Sequence, residues 1–272
     1  TNDTRNILAF LDLGETSSNI YNNSYVSSFN GNFPDNNEAN NLYSNLLSYE
    51  GSSSDIRNIN DANIIFQSTG LSNGTDVEKL ERARKLSESE YSINTQLGYI
   101  SLNQALNNDE VLAVAFQYTV GNKTFQVGEI SSSGPTAPDA LILKLLKGTS
   151  FTPELPTWDL MMKNIYSIGA YQMNRNGFVL DIVYENTEES GAITNYLSEP
   201  DELSVHGKPI LKLLNLDRLN QQMDIQSDGV FDYVEDITVK SSNGRVIFPV
   251  REPFGNYLSK QFDNPSLADK YS

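Results

Sequence analysis

Between residues 112 and 120 apolar side chains fall at every second position, with Leu112, Val114, Phe116, Tyr118 and Val120 separated by smaller or polar neighbours. Successive side chains of a strand point to opposite faces, so this spacing covers one face of a sheet and cannot cover one face of a helix. Gly121-Asn122 follows as a two-residue turn, and residues 124–130 return, which predicts an antiparallel hairpin. Two more hairpins are expected where Asn-Gly pairs recur, at residues 170–184 around Asn176-Gly177 and 235–250 around Asn243-Gly244. The expected class is therefore α+β and β-rich, with antiparallel hairpins, two short helices and long Asn-rich loops.

The first helix is expected over residues 76–88, where Thr75 and Glu78 have the spacing of a capping box. Glu78–Arg82 and Glu81–Lys85 would pair one turn apart, and Val77, Leu80 and Ala83 would form a narrow buried stripe. The second is expected over residues 158–168, entered after Pro156, stopped by Gly169, and packed through Met161, Ile165 and Ile168. Residues 7–13, Ile-Leu-Ala-Phe-Leu-Asp-Leu, read as a short strand closed by Gly14. Residues 141–147 and 209–215 share Ile-Leu-Lys-Leu-Leu; such runs fit a strand or a buried helix, and strand is the reading taken for both. The first 75 residues hold sixteen asparagines, with Tyr21, Tyr25, Phe29, Phe33 and Tyr43 spaced to pin a long ordered loop. These features divide the chain into a loop-rich region 1–96, a β-rich region 97–255, and a polar tail 256–272 that Pro249, Pro253 and Gly255 separate from regular structure.

Nineteen basic against 35 acidic residues leave a net charge of −16, which repels nucleic acid and anionic membrane surfaces alike. No apolar run of about 18 residues occurs, so neither a membrane-spanning helix nor a signal peptide is expected. Because it starts at Thr1, the chain is expected to be a mature or excised piece of a longer protein. The lack of cysteine rules out disulfides, thiol catalysis and Cys-based metal sites, and suits a cell-envelope protein that dispenses with disulfides. His206 is the one histidine, so a zinc pair at i,i+4 is impossible, and no Gly-x-Ser-x-Gly elbow or phosphate-binding glycine loop exists. Two carboxylates suffice for glycoside hydrolysis. Asp159, Asp181, Glu185 and Glu189 could supply them, and surface charge accounts for all four as well.

The sharpest chemical pattern is Asp224-Ile-Gln-Ser-Asp-Gly-Val-Phe-Asp-Tyr-Val-Glu235. Its spacing is that of a calcium loop: Asp224, Gln226, Asp228, the Val230 carbonyl, Asp232 and Glu235 at positions 1, 3, 5, 7, 9 and 12, with Gly229 at the bend. Gln226 is longer than the usual third ligand, and a strand pattern rather than a helix follows Glu235. Calcium of low affinity, on the order of 10⁻⁴–10⁻³ M, and a plain acidic turn with Asp228 and Asp232 bonding local N–H groups are the two readings.

Several segments in order resemble one family. They are Leu97-Gly-Tyr-Ile-Ser-Leu-Asn103, Asp109-Glu-Val-Leu-Ala-Val-Ala-Phe-Gln-Tyr118, Gln126-Val-Gly-Glu129, Leu143-Lys-Leu-Leu-Lys147 and Trp158-Asp-Leu-Met-Met-Lys-Asn-Ile-Tyr166. Leu214-Asn-Leu-Asp-Arg-Leu-Asn220, Asp228-Gly-Val-Phe-Asp232 and Gly244-Arg-Val-Ile-Phe-Pro-Val-Arg-Glu-Pro-Phe-Gly255 complete the set. Together they resemble the SprA (Sov) family of gliding motility, the outer-membrane translocon of the type 9 secretion system. The resemblance implies a soluble, non-enzymatic piece of a protein-transport barrel, cap-like or inserted in a loop, that shapes the exit route or holds a partner. It implies the rest of the barrel, its accessory proteins and secreted cargo as partners. It places the chain at the outer membrane of the cell envelope, on the extracellular face first and the periplasmic face second. The competing expectations are a calcium-stabilised surface module that grips glycans or proteins, and a glycoside hydrolase.

Overall fold

The apolar run at residues 7–13 lies in and just beyond an interior strand. In the computed structural model, which describes residues 4–13, 34–150, 152–186 and 191–271, the first unit runs in the order β1 (Thr4–Phe10), α1 (Leu42–Leu47), α2 (Ala62–Thr69), β2 (Val77–Arg84), β3 (Tyr91–Asn94), β4 (Tyr99–Leu102), β5 (Leu112–Val114), β6 (Phe116–Val120), β7 (Lys123–Val127), β8 (Leu141–Lys147) and α3 (Pro156–Asp159). β1 lies between an antiparallel β2 and a parallel β8, with β5 on the far edge of β8. A strand with neighbours on both sides and cover on both faces reads as a continuous apolar run, as Leu8, Ala9 and Phe10 do, all fully buried. The parallel register sets Ile7 opposite Leu141 and Phe10 opposite Lys144. Leu42 and Leu46 of α1, and Ile65 and Phe66 of α2, close the core, with Phe66 edge-on to Phe10 at 6.1 Å.

Residues 76–88 do not form the expected helix. β1 has N–H and C=O groups to satisfy along that side, and β2 supplies a ladder from Phe10↔Val77 to Thr4↔Arg84. Glu78 leaves its capping position altogether: its Oε1 accepts from the Thr149 N–H at 2.8 Å and the Thr149 hydroxyl at 2.7 Å. The hairpin about Gly121-Asn122 forms as expected, Tyr118 facing Phe125 across it. The strand before it divides at Ala115: β5 joins β8, and only β6 pairs with β7. The aromatic loop expected from Tyr21 to Phe33 lies outside the described residues; two helices, α1 and α2, occupy ground read as loop.

The second unit contains β9 (Ile165–Ser167), β10 (Tyr184–Asn186), β11 (Ala192–Thr194), α4 (Ile210–Leu213), β12 (Val239–Lys240), β13 (Arg245–Ile247) and α5 (Pro265–Lys270). Helix 158–168 is also replaced: α3 is a single turn, and residues 165–167 become β9, the outer strand of the sheet β12-β13-β9. Pairing of Val246 with Tyr166 and Ile247 with Ile165 completes the ladder of the hairpin at Asn243-Gly244, which forms as expected but shorter. Gly244 has φ +62°, and a Cβ there would overlap the Ala170 carbonyl, so this turn needs glycine. The hairpin expected at 170–184 is absent. Met173 is held by its N–H to the Ser241 carbonyl (3.1 Å), so the upstream arm cannot pair, and Tyr184 pairs with Thr194 instead. Residues 210–213 are helix rather than strand, with Leu214 N–H bonding the Ile210 carbonyl and Ile210, Leu211 and Leu213 buried.

Residues 256–272 are not a loose tail among the described positions. Leu258 and Phe262 sit in the second core, and Tyr271 stacks on Phe262 at 4.9 Å while its hydroxyl bonds Glu199. Compact units form from residues 1–93 with 100–161, and from 94–99 with 162–272. Among the described residues no helix is long and apolar enough to cross a membrane.

Candidate functional site

Three places have the burial, charge or exposure to be sites. The acidic loop comes first. Its bend forms as the spacing predicts, with Gly229 at φ +83° and Phe231 buried in the second core. The carboxylates, however, are engaged by backbone. Asp228 accepts from the Val230 N–H at 3.1 Å, and Asp232 from the N–H groups of Arg218 (2.6 Å) and Leu219 (3.1 Å). Glu235 caps the hairpin turn by accepting from the N–H and hydroxyl of Ser241, both at 2.9 Å. Asp224 acts through its main chain, its carbonyl accepting from Asn220 and Gln226 N–H groups, and Gln226 and Val230 point to solvent.

The organiser of this loop is Asp217, outside the predicted ligand set. It is buried, and its two oxygens accept from the Ser227 hydroxyl (2.7 Å) and the N–H groups of Asp228 (3.0 Å) and Gly229 (3.1 Å). Burial raises the Asp232 pKa, the negative charges of Asp217 and Asp228 raise it further, and the Arg218 and Leu219 N–H groups oppose the rise. Among the described residues no three His, Cys, Asp or Glu side chains converge to hold a metal ion. Asp228 bonds a local N–H, as the acidic-turn reading expects, and the carboxylates of Asp217, Asp228 and Asp232 lie close enough for their charges to interact.

In the first unit, Arg57 and Glu129 form a buried bidentate pair, both N–O distances 2.8 Å. Glu129 also accepts from the Tyr43 hydroxyl (2.7 Å) and the Ile142 N–H (2.8 Å), and Arg57 donates to the Ala140 carbonyl (3.2 Å). Burial and the bond to Glu129 raise the Tyr43 pKa well above the ordinary tyrosine value. Burial opposes the charge on Arg57, but Glu129 and Glu50 outweigh it and raise its pKa. A cavity of ≈ 240 Å³ opens beside the pair, lined among others by Gln126, Ser133 and Pro135. Every oxygen of Glu129 already has its donors, so the cluster acts as a clamp between the loop at Arg57 and strand β8. Arg57 and Glu129 lie 72 positions apart, and no local signal announces them.

The third place is the extended stretch 178–185. Phe178, Leu180, Ile182 and Tyr184 pack on the second core, while Val179, Asp181, Val183 and Glu185 face solvent. Ile193, opposite Glu185 across the β10–β11 ladder, lies on the same outer face. Asp181 and Glu185, two of the proposed hydrolase carboxylates, both lie on the solvent face of this stretch. Asp159 sits in α3 in the other unit, and Glu189 lies outside the described residues. His206 is exposed in a turn.

No known family and no curated protein matches the chain. The resemblance to the SprA family therefore rests on the ordered motifs alone.

Proposed function

We propose that the chain is a non-enzymatic structural protein whose second unit holds a protein partner against its outer face. The carrying observation is the apolar content of that face: Val179 is 87 % exposed, Val183 57 % and Ile193 65 %. β-Branched side chains facing water on one side of a pleated surface mark a place for another protein. The satisfied carboxylates of the acidic loop and of Glu129 fit a structural protein rather than a catalyst. On the SprA resemblance the partner is the barrel of a type 9 secretion translocon, one of its accessory proteins or its cargo. The domain would then sit at the outer membrane, shaping the exit route.

The test is a triple variant, Val179→Asp, Val183→Asp and Ile193→Asp, placed in the full-length protein in its own cell. The expected result is an unchanged melting temperature, since exposed positions move stability by only about 0.5 kcal/mol, with loss of the protein from its envelope assembly and reduced secretion. Normal assembly and secretion by the folded variant would refute the reading.

A further inference from the structure

Where the main chain of residues 178–183 bonds is the question its neighbours leave open. The β10–β11 ladder ends at Tyr184↔Thr194. There the partner strand turns away: the Asn195 carbonyl takes the Ile210 N–H at 2.8 Å, and Tyr196 bridges to Pro209. Residues 178–183 lead into β10 with the alternation of packed and solvent-facing side chains that a strand has. The Phe178 N–H is closed into a turn with the Arg175 carbonyl (3.3 Å), and the Ile182 N–H bonds the Asp181 carboxylate (2.9 Å). Among the described residues the N–H groups of Val179, Leu180, Asp181 and Val183, and the carbonyls from Phe178 to Val183, carry no hydrogen bond.

This segment is nonetheless held in place. Phe178 meets the rings of Phe231 at 5.7 Å and Tyr233 at 5.2 Å, and Tyr184 meets Tyr271 at 5.4 Å. Leu180 and Ile182 pack on the same core between them. A strand ordered by its side chains, with its backbone groups free, is a template to which another strand can be added. Because the segment is already ordered, the entropy of binding falls almost wholly on the incoming chain.

We infer that residues 178–183 form an open strand edge completed by an extended segment of a partner protein, whose outward side chains alternate apolar and basic. The inference rests on the reading of this face as a partner surface and specifies how that partner binds. Six residues span about 20 Å, room for a strand of ordinary length. Apolar side chains of the partner lie beside Val179 and Val183, and Lys or Arg beside Asp181 and Glu185, since opposite charges across a ladder attract and like charges repel. A second copy of this chain is the wrong occupant: it brings two further carboxylates to the same edge and a net charge of −16 against −16.

The experiment uses the whole chain and a labelled peptide, acetyl-Thr-Lys-Val-Val-Val-Lys-Thr-amide, read by fluorescence anisotropy and by hydrogen exchange. Expected are saturable binding, new protection of the amides of Val179, Asp181 and Val183, which share one edge of the strand, with the amide of Leu180 on the other edge unchanged, and at least tenfold weaker binding when the peptide carries Glu for Lys. Methylating alternate peptide nitrogens on the bonding edge abolishes binding. Asp181→Lys with Glu185→Lys reverses the charge preference while leaving the fold intact. Failure to bind, binding without that protection, equal binding of the methylated peptide, or a dimer of the chain through this edge overturns the inference. Such a failure leaves the partner surface standing if the triple aspartate variant still loses its assembly; if that variant keeps it, the functional reading falls instead.

Discussion

Arg57 and Glu129 carry opposite charges into a place where neither could stay alone. Their side chains are 7 % and 5 % exposed, and the pair survives because two parallel hydrogen bonds, the Tyr43 hydroxyl and the Ile142 N–H together replace the lost water. Glu129→Ala should destabilise the first unit by about 3 kcal/mol, because it leaves a buried guanidinium with only the longer contact to Glu50, at 3.6 Å. Arg57→Met with Glu129→Leu should recover most of that loss. Urea unfolding of the three proteins checks the order, and a double variant as unstable as the single one would mean the cost lies in packing. Asp217 makes the same point in the second unit. The sequence singled out Asp228 and Asp232 by spacing, and the expected bond from Asp228 to a local N–H is present at Val230. The partners of Asp217 lie ten to twelve positions away, so nothing in Leu-Asp-Arg marks its role.

At the scale of elements, the pentapeptide Ile-Leu-Lys-Leu-Leu occurs twice and folds two ways. In β8 it lies beside β1 with Lys144 buried; in α4 it follows Pro209, with Lys212 in solvent. Proline with φ −57° starts a helical turn readily, whereas a strand needs a neighbour, which only the folded sheet provides. The C-terminal segment depends on a similar long-range contact. Buried Glu202 accepts from the N–H groups of Asp263 (3.0 Å) and Asn264 (3.1 Å) and from the Ser204 hydroxyl. The Asp263 N–H first, and then the Ser204 hydroxyl, lower its pKa below the ordinary glutamate value. A lowered carboxylate pKa contributes stability that is fully present above the unfolded value of about 4.3 and is lost as pH falls through the folded one. The protection factors of the amides of residues 263, 264 and 266–271 should therefore stay constant from neutral pH down to about 5 and fall only below about 4. In Glu202→Gln the same amides should be less protected at neutral pH, with that acid step gone. An unchanged acid step would assign it to another group.

Across the whole molecule, 35 acidic side chains against 19 basic ones make the folded state repel itself. Raising salt from a few millimolar to about 0.15 M shortens the screening length to about 8 Å, so the melting temperature should rise by roughly 2–4 °C. A fall would show that local ion pairs outweigh the net charge. What the sequence determined by itself are the features that need only neighbours along the chain. These are the β-rich class, the hairpins at Gly121-Asn122 and Asn243-Gly244, the buried run at residues 7–13, and the acidic bend at Gly229. Tertiary structure decided the rest. It turned the capping box at Thr75 into an edge of the first sheet, made a strand of Ile165–Ser167, fastened the last residues through Phe262 and Tyr271, and left residues 178–183 without a ladder. Alternation and turn type are written in a few consecutive residues; the partner that fills a backbone's hydrogen bonds, or fails to, comes from elsewhere in the chain.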